Sequence, residues 1–179
     1  MATDLVVAGD FPIQWQRTFS SQQENLAPNG WSFLPLKRSD VGRNASTGKS
    51  VAYLNRGDGS VLAFEGTGQP GSRSWAVRYN DLAGQSRIHS TLSDWSAGGS
   101  DQAVVLTQGN GTREFYDGQG RLVKVTNAQG RSHSYLYNAA GLVSKITQDN
   151  GRYLAIAYGT MGFPAQTSVS LPVYDKVDD

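Results

Sequence analysis

Cysteine is absent from these 179 residues, so neither a disulfide framework nor a thiolate metal site can form, and the core is held by packing alone. Long apolar runs are missing too. The only one near the start, Leu5-Val6-Val7-Ala8, is too short for a signal-peptide core and has no basic segment ahead of it. Neither a membrane span nor export by the general secretory route is therefore expected. Charge is sparse and balanced, 16 Lys and Arg against 15 Asp and Glu for a net +1, so no overall field draws the chain to nucleic acid or an acidic membrane. Histidine is nearly absent. His89 and His133 fall in separate expected strands with no carboxylate at metal-ligand spacing, which leaves a metal site or a Ser-His-Asp triad without a pattern.

Glycine, by contrast, is abundant at 21 residues, and much of it recurs in register. The segment from Phe115 to Thr126 returns as Leu136 to Thr147, an offset that Tyr116, Tyr137 and Tyr158 keep, as do Gly109, Gly130 and Gly151, and Gly120 with Gly141. Four punctuators separate the apolar runs: Asp117 to Gly120, Asn127 to Gly130, Asn138 to Gly141 and Gln148 to Gly151. Each predicts a hairpin turn, because an Asp or Asn side chain bonds the turn backbone and Gly accepts the positive φ that closes it. The runs between them, such as Arg121 to Thr126 and Arg131 to Tyr137, have strand length and strand composition. Side chains alternate along a strand, which puts Arg131, His133, Tyr135 and Tyr137 on one face and Leu136 on the other. The expected fold class is all-β, an antiparallel β-meander.

Further strands are expected near Ile13 to Phe19, Trp31 to Leu36, Val51 to Asn55, Val61 to Phe64, Trp75 to Tyr79, Ser86 to Leu92 and Val104 to Thr107. Nothing reads as a long amphipathic helix. From Gly159 the repeat is lost and the acidic tail is expected to fray.

The unit Tyr116-Asp117-Gly118-Gln119-Gly120-Arg121-Leu122, followed by a strand, a Gly-Arg turn at Gly130 and a Tyr-rich strand, resembles the YD repeat of the Rhs family. A second copy keeps Tyr137 and Gly141 but has Asn138 for the Asp and Leu142 for the Arg. Upstream, the segment containing Trp15 and Arg17, followed by Gly30-Trp31, is similar to the opening of many Rhs cores. These resemblances divide the chain into an N-terminal extension (1–11), an Rhs-core-like β region (12–108), YD-repeat hairpins (109–158) and a C-terminal tail (159–179). They imply a sheet strip of the kind that spirals into a hollow shell around a toxin cargo. They also imply partners that add through strand edges, and a secreted or cell-surface location reached by a specialised route. Neither the Asp-Pro-x-Gly motif of core self-cleavage nor a C-terminal toxin domain is present in the sequence.

Chemical motifs weigh less. Gly42 to Ser50 resembles a phosphate loop but has five residues between its glycines where four are needed, and a strand follows where a helix should. Arg56-Gly57-Asp58 is the integrin tripeptide, set among the residues a turn demands. Trp15, Trp31, Trp75 and Trp95 as stacking platforms make a carbohydrate- or receptor-binding module the rival reading, although aromatics in a small β protein are more often core. Acidic residues such as Asp94, Asp101, Glu114 and Asp117 form no catalytic pair. The expectation is a non-catalytic protein with no cofactor, whose important residues are structural: Tyr116, Asp117, Gly120, Arg121, Gly130, Tyr137, Gly141, Gly151 and Tyr158.

Overall fold

A computed structural model describes residues 2–19, 31–33, 37–57, 60–78, 89–159 and 164–170, with backbone alone at 2–4, 17–19, 31–33 and 164–170. Among the described residues the regular elements are strands, apart from a 3₁₀ turn at Ser96–Gly98. They form not one continuous meander but three antiparallel ones. The first contains β1 (Ala2–Val7), β2 (Ile13–Phe19) and β3 (Trp31–Phe33). The second contains β4 (Arg38–Arg43), β5 (Ser50–Asn55), β6 (Val61–Thr67) and β7 (Ser74–Val77). The third, of eight strands, runs through β8 (Thr91–Asp94), β9 (Val104–Thr107), β10 (Arg113–Tyr116), β11 (Leu122–Thr126), β12 (Ser132–Tyr137), β13 (Val143–Gln148), β14 (Tyr153–Tyr158) and β15 (Pro164–Ser170).

The eight-stranded sheet buries one face under the other two. At β8–β11, Leu92, Val104, Leu106, Tyr116, Leu122 and Val125 pack with Ala52, Leu54, Leu62 and Phe64 of the second sheet. At β13 and β14, Val143, Ile146, Leu154 and Ile156 pack with Val7, Ile13 and Trp15 of the first. Each fully buried large side chain contributes about 1.5–3 kcal/mol, so both small sheets are held chiefly by what they cover. A sheet with one apolar face must bury it, and the repeat strands alone bring no second layer.

Three strands lie beyond the sequence expectation. β4 has only Ser39 and Val41 buried in the run Arg-Ser-Asp-Val-Gly-Arg, too little alternation to read as a strand. β1 pairs with β2 inside the segment read as an extension. β15 pairs with β14 along its length, so residues 164–170 are strand where the loss of the repeat suggests fraying. The end of the strand expected at 75–79, the start of that expected at 86–92 and the end of that expected at 31–36 lie outside the described residues.

Candidate functional site

The repeat hairpins are the most regular feature of the molecule, and their geometry is set by two kinds of turn. In the first kind, Asp117, Asn127 and Asn138 each accept two backbone N–H groups on one carbonyl or carboxylate oxygen, from residues two and four ahead, at 2.9–3.1 Å. In the second, Gln108-Gly109-Asn110-Gly111 and Gln148-Asp149-Asn150-Gly151, the third residue takes over, Asn110 accepting from Thr112 and Asn150 from Arg152. All five turns close with a Gly at positive φ: Gly111, Gly120, Gly130, Gly141 and Gly151, at 72–85°. The recurrence of Gly109 with Gly130 and Gly151 is therefore misleading, since Gly111 occupies the left-handed position. With the first residue freed from capping, the two glutamines turn inward. Their shared Gln-x-Asn-Gly spelling was the sequence signal for this second role.

Opposite each repeat tyrosine the ladder carries one extra residue. Tyr116 faces Leu122 while Phe115 faces Lys124, Tyr137 faces Val143 while Leu136 faces Lys145, and Tyr158 faces Pro164 while Ala157 faces Gln166. Such a bulge interrupts the ladder hydrogen bonds. The tyrosine of the next unit supplies a donor there: Tyr137 Oη donates to the Leu122 carbonyl at 2.8 Å and Tyr158 Oη to the Val143 carbonyl at 2.7 Å. Burial pushes the phenol of Tyr158 up to about 12 and raises that of Tyr137 as well, so both stay protonated donors. The third bulge, at β14–β15, shows the repeat geometry continuing where the sequence repeat has stopped. Tyr137→Phe and Tyr158→Phe should each lower stability by about 1 kcal/mol, and the double variant by nearly the sum. Urea unfolding checks this, and an unchanged midpoint in both would show that the tyrosines act by packing alone.

In the first unit Asp117 also pairs with Arg121, through Nε at 2.8 Å and Nη2 at 2.7 Å, and the guanidinium lies 5.2 Å from the centre of the Tyr137 ring. Asn138 and Leu142 in the second unit lose the ion pair and keep the turn. Tyr116 differs from its two counterparts: it is wholly buried and donates to Glu114 Oε2 at 2.7 Å. Glu114, itself buried, accepts from Lys37 Nζ at 2.5 Å and Gln108 Nε2 at 2.6 Å. Burial, the largest single influence, would raise its carboxyl, but the charge and hydrogen bond of Lys37, the charge of Arg56 and the Tyr116 hydrogen bond together hold it below the usual carboxylate value. Glu114 is thus a fully partnered internal anion joining β10 to the segment before β4, not a free acid.

Around the β1–β2 turn, Gln148 Nε2 donates to the carbonyls of Val7 at 3.1 Å and Phe11 at 3.0 Å. The Cβ that any other residue would carry at Gly9 falls 3.0 Å from Gln148 Oε1. The His133 ring stacks on Phe11 with centroids 4.0 Å apart, and its Nε2 lies 2.7 Å from the Phe11 carbonyl. Burial lowers the His133 pKa, against the opposing influence of that hydrogen bond and of Asp149. The unfolded chain then binds the proton more readily, so stability present at neutral pH should decline as pH falls below about 6.5. Melting curves between pH 7.5 and 5 should show this decline, and His133→Gln should flatten it; an equal decline in the variant would assign it elsewhere.

The chemical motifs dissolve into structure. Gly42 to Ser50 is the β4–β5 hairpin, with Asn44 Oδ1 accepting from Ser46 and Thr47, so no helix N-terminus faces a phosphate. The side chain of Arg56 turns inward: its Nε is buried and its charge acts on Glu114, while Asp58 lies outside the described residues. Trp15 is 3% exposed, Trp75 donates from Nε1 to Asp94 at 3.0 Å, and Trp95 packs edge-on to Phe115. Gly30 and the side chains of Arg17 and Trp31 lie outside the described residues. Among the described residues no three His, Cys, Asp or Glu side chains gather as a metal site, and no helix is long and apolar enough to cross a membrane.

Recurring turns, bulges and tyrosine bridges give the hairpins of the eight-stranded sheet the geometry of a structural repeat. The family model of the RHS Repeat matches residues 116–153, from the tyrosine that opens the first unit to the start of β14, so this stretch of the chain is similar to an Rhs/YD repeat. RHS repeats occur in secreted or cell-surface proteins. No curated protein matches the chain significantly.

Proposed function

We propose that this chain is a non-catalytic structural element of an Rhs/YD-repeat shell, one that contributes a strip of sheet to a container for a toxin cargo. The observation that carries the reading is the propagating register. Turn, bulge and tyrosine bridge recur at fixed spacing, and the strip ends in β8 on one side and β15 on the other, each presenting an edge that no strand pairs among the described residues. Exposed edges are templates for further strands. Partners are therefore other repeat segments or further chains, and a secreted or cell-surface location follows the occurrence of such repeats. Light scattering with small-angle X-ray scattering tests it. The expected result is an association that grows with concentration and an elongated or curved outline; a compact monomer at every concentration would overturn it.

A further inference from the structure

The face of the eight-stranded sheet turned away from the two small sheets carries a charge pattern that the near-neutral composition conceals. Cross-strand partners share a face, and the pairings Phe115 with Lys124, Lys124 with Ser134, Ser134 with Thr147, Thr147 with Tyr153, and Leu136 with Lys145 define it. Arg113, two residues before Phe115, projects the same way. Among the described residues this face holds Arg113, Lys124 and Lys145 and no carboxylate. Arg113, Lys124, Ser134 and Leu136 are exposed, and none of the three cations is in an ion pair with another described residue. Their neighbours are aromatic: Arg113 Cζ lies 5.1 Å and Lys124 Nζ 5.9 Å from the Phe115 centroid, and Lys145 Nζ is 3.8 Å from that of Tyr153.

We propose that this face binds an acidic polysaccharide, its carboxylates held by Arg113, Lys124 and Lys145 and its hydroxyls by Ser134 and Thr147 between them. From β10 to β13 is three strand spacings, roughly 14 Å, so the cations suit an extended polyanion more than a small ion. Nucleobases would need open rings on which to stack, but the cations already cover Phe115 and Tyr153, and Trp95 abuts Phe115 at 5.4 Å. The row between the cations is hydroxyl-bearing, the chemistry that meets a polyol. This surface is independent of the edges on which the shell reading rests.

Polygalacturonate is the probe, with dextran, polyglutamate and single-stranded DNA as comparators. The intact chain should bind polygalacturonate, lose it as salt screens the charges, and ignore dextran. Arg113→Thr, Lys124→Thr and Lys145→Thr combined should weaken binding about tenfold or more. On the unaltered chain, acetylation of Lys124 and Lys145 should be blocked by polygalacturonate, and that of Lys49, which pairs with Glu65 on the second sheet, should not. Absence of binding, undiminished binding by the triple variant, or unshielded Lys124 and Lys145 would overturn the proposal. Equal or tighter binding of polyglutamate or DNA would overturn the choice of a polysaccharide.

Discussion

Gly120→Ala should destabilise this protein by about 4 kcal/mol, whereas Gly130→Ala, in the same kind of turn, should cost about 1–2 kcal/mol. Both glycines have positive φ, 72° and 81°, and any L-residue there meets the same backbone penalty. The difference is what surrounds them. A Cβ at Gly130 meets nothing within 4 Å, whereas one at Gly120 would overlap the Ser39 carbonyl oxygen. Ser39 N–H donates to the Gly120 carbonyl at 2.9 Å, and Arg38 bridges Arg121 next to it. The YD turn is thus the seat on which β4, and with it the second sheet, rests. Gly130→Val adds β-branching to the backbone strain and should cost more than the alanine, yet still less than Gly120→Ala. Urea unfolding of the three variants measures this; equal losses at 120 and 130 would mean that β4 does not dock on the turn.

Asp94→Ala should cost about 3–5 kcal/mol, the usual effect of stripping one partner from a buried ion pair. The Asp94 carboxylate meets Arg73 Nε at 2.9 Å and Nη2 at 2.9 Å, the Arg73 backbone N–H at 2.7 Å and Trp75 Nε1 at 3.0 Å. The two side chains are 4% and 5% exposed, and Arg73 Nη2 also donates to the Asp101 carbonyl. Losing the carboxylate strands a guanidinium between the second and third sheets with one acceptor left. The Trp75 ring stays fixed by its other neighbours, among them the guanidinium 4.8 Å from its centre and Gly66, where a Cβ would come within 2.8 Å of it. Asp10→Ala is the control. It removes one partner of Arg131, at 2.9 Å, but Asp10 is 78% exposed, and such pairs contribute about 0–1 kcal/mol. Thermal melts followed by tryptophan fluorescence should separate the two variants by several degrees, and comparable losses would remove the clasp from the account of how the sheets are joined.

What the sequence determined by itself is everything that depends on neighbours along the chain. The turns are local: Asp117, Asn127 and Asn138 bond their own loops, and Gly120, Gly130, Gly141 and Gly151 supply the left-handed φ. Alternation along Arg131 to Tyr137 puts His133 and Tyr135 inward and leaves Leu136 58% exposed. Tertiary structure alone decided what those faces meet. Splitting into three sheets depends on cores that gather residues far apart in sequence, Val41 and Leu122 in one and Trp15 and Ile146 in the other, for which no local pattern exists. β4 and β15 are strands because a neighbour offers an edge, not because their own polar sequences demand it. Glu114, Gln148 and Arg73 look like surface residues in composition and become interior ones, since a buried polar group is tolerated only where distant partners complete its bonds. The charge of the open face likewise emerges only when register brings Arg113, Lys124 and Lys145 to one side.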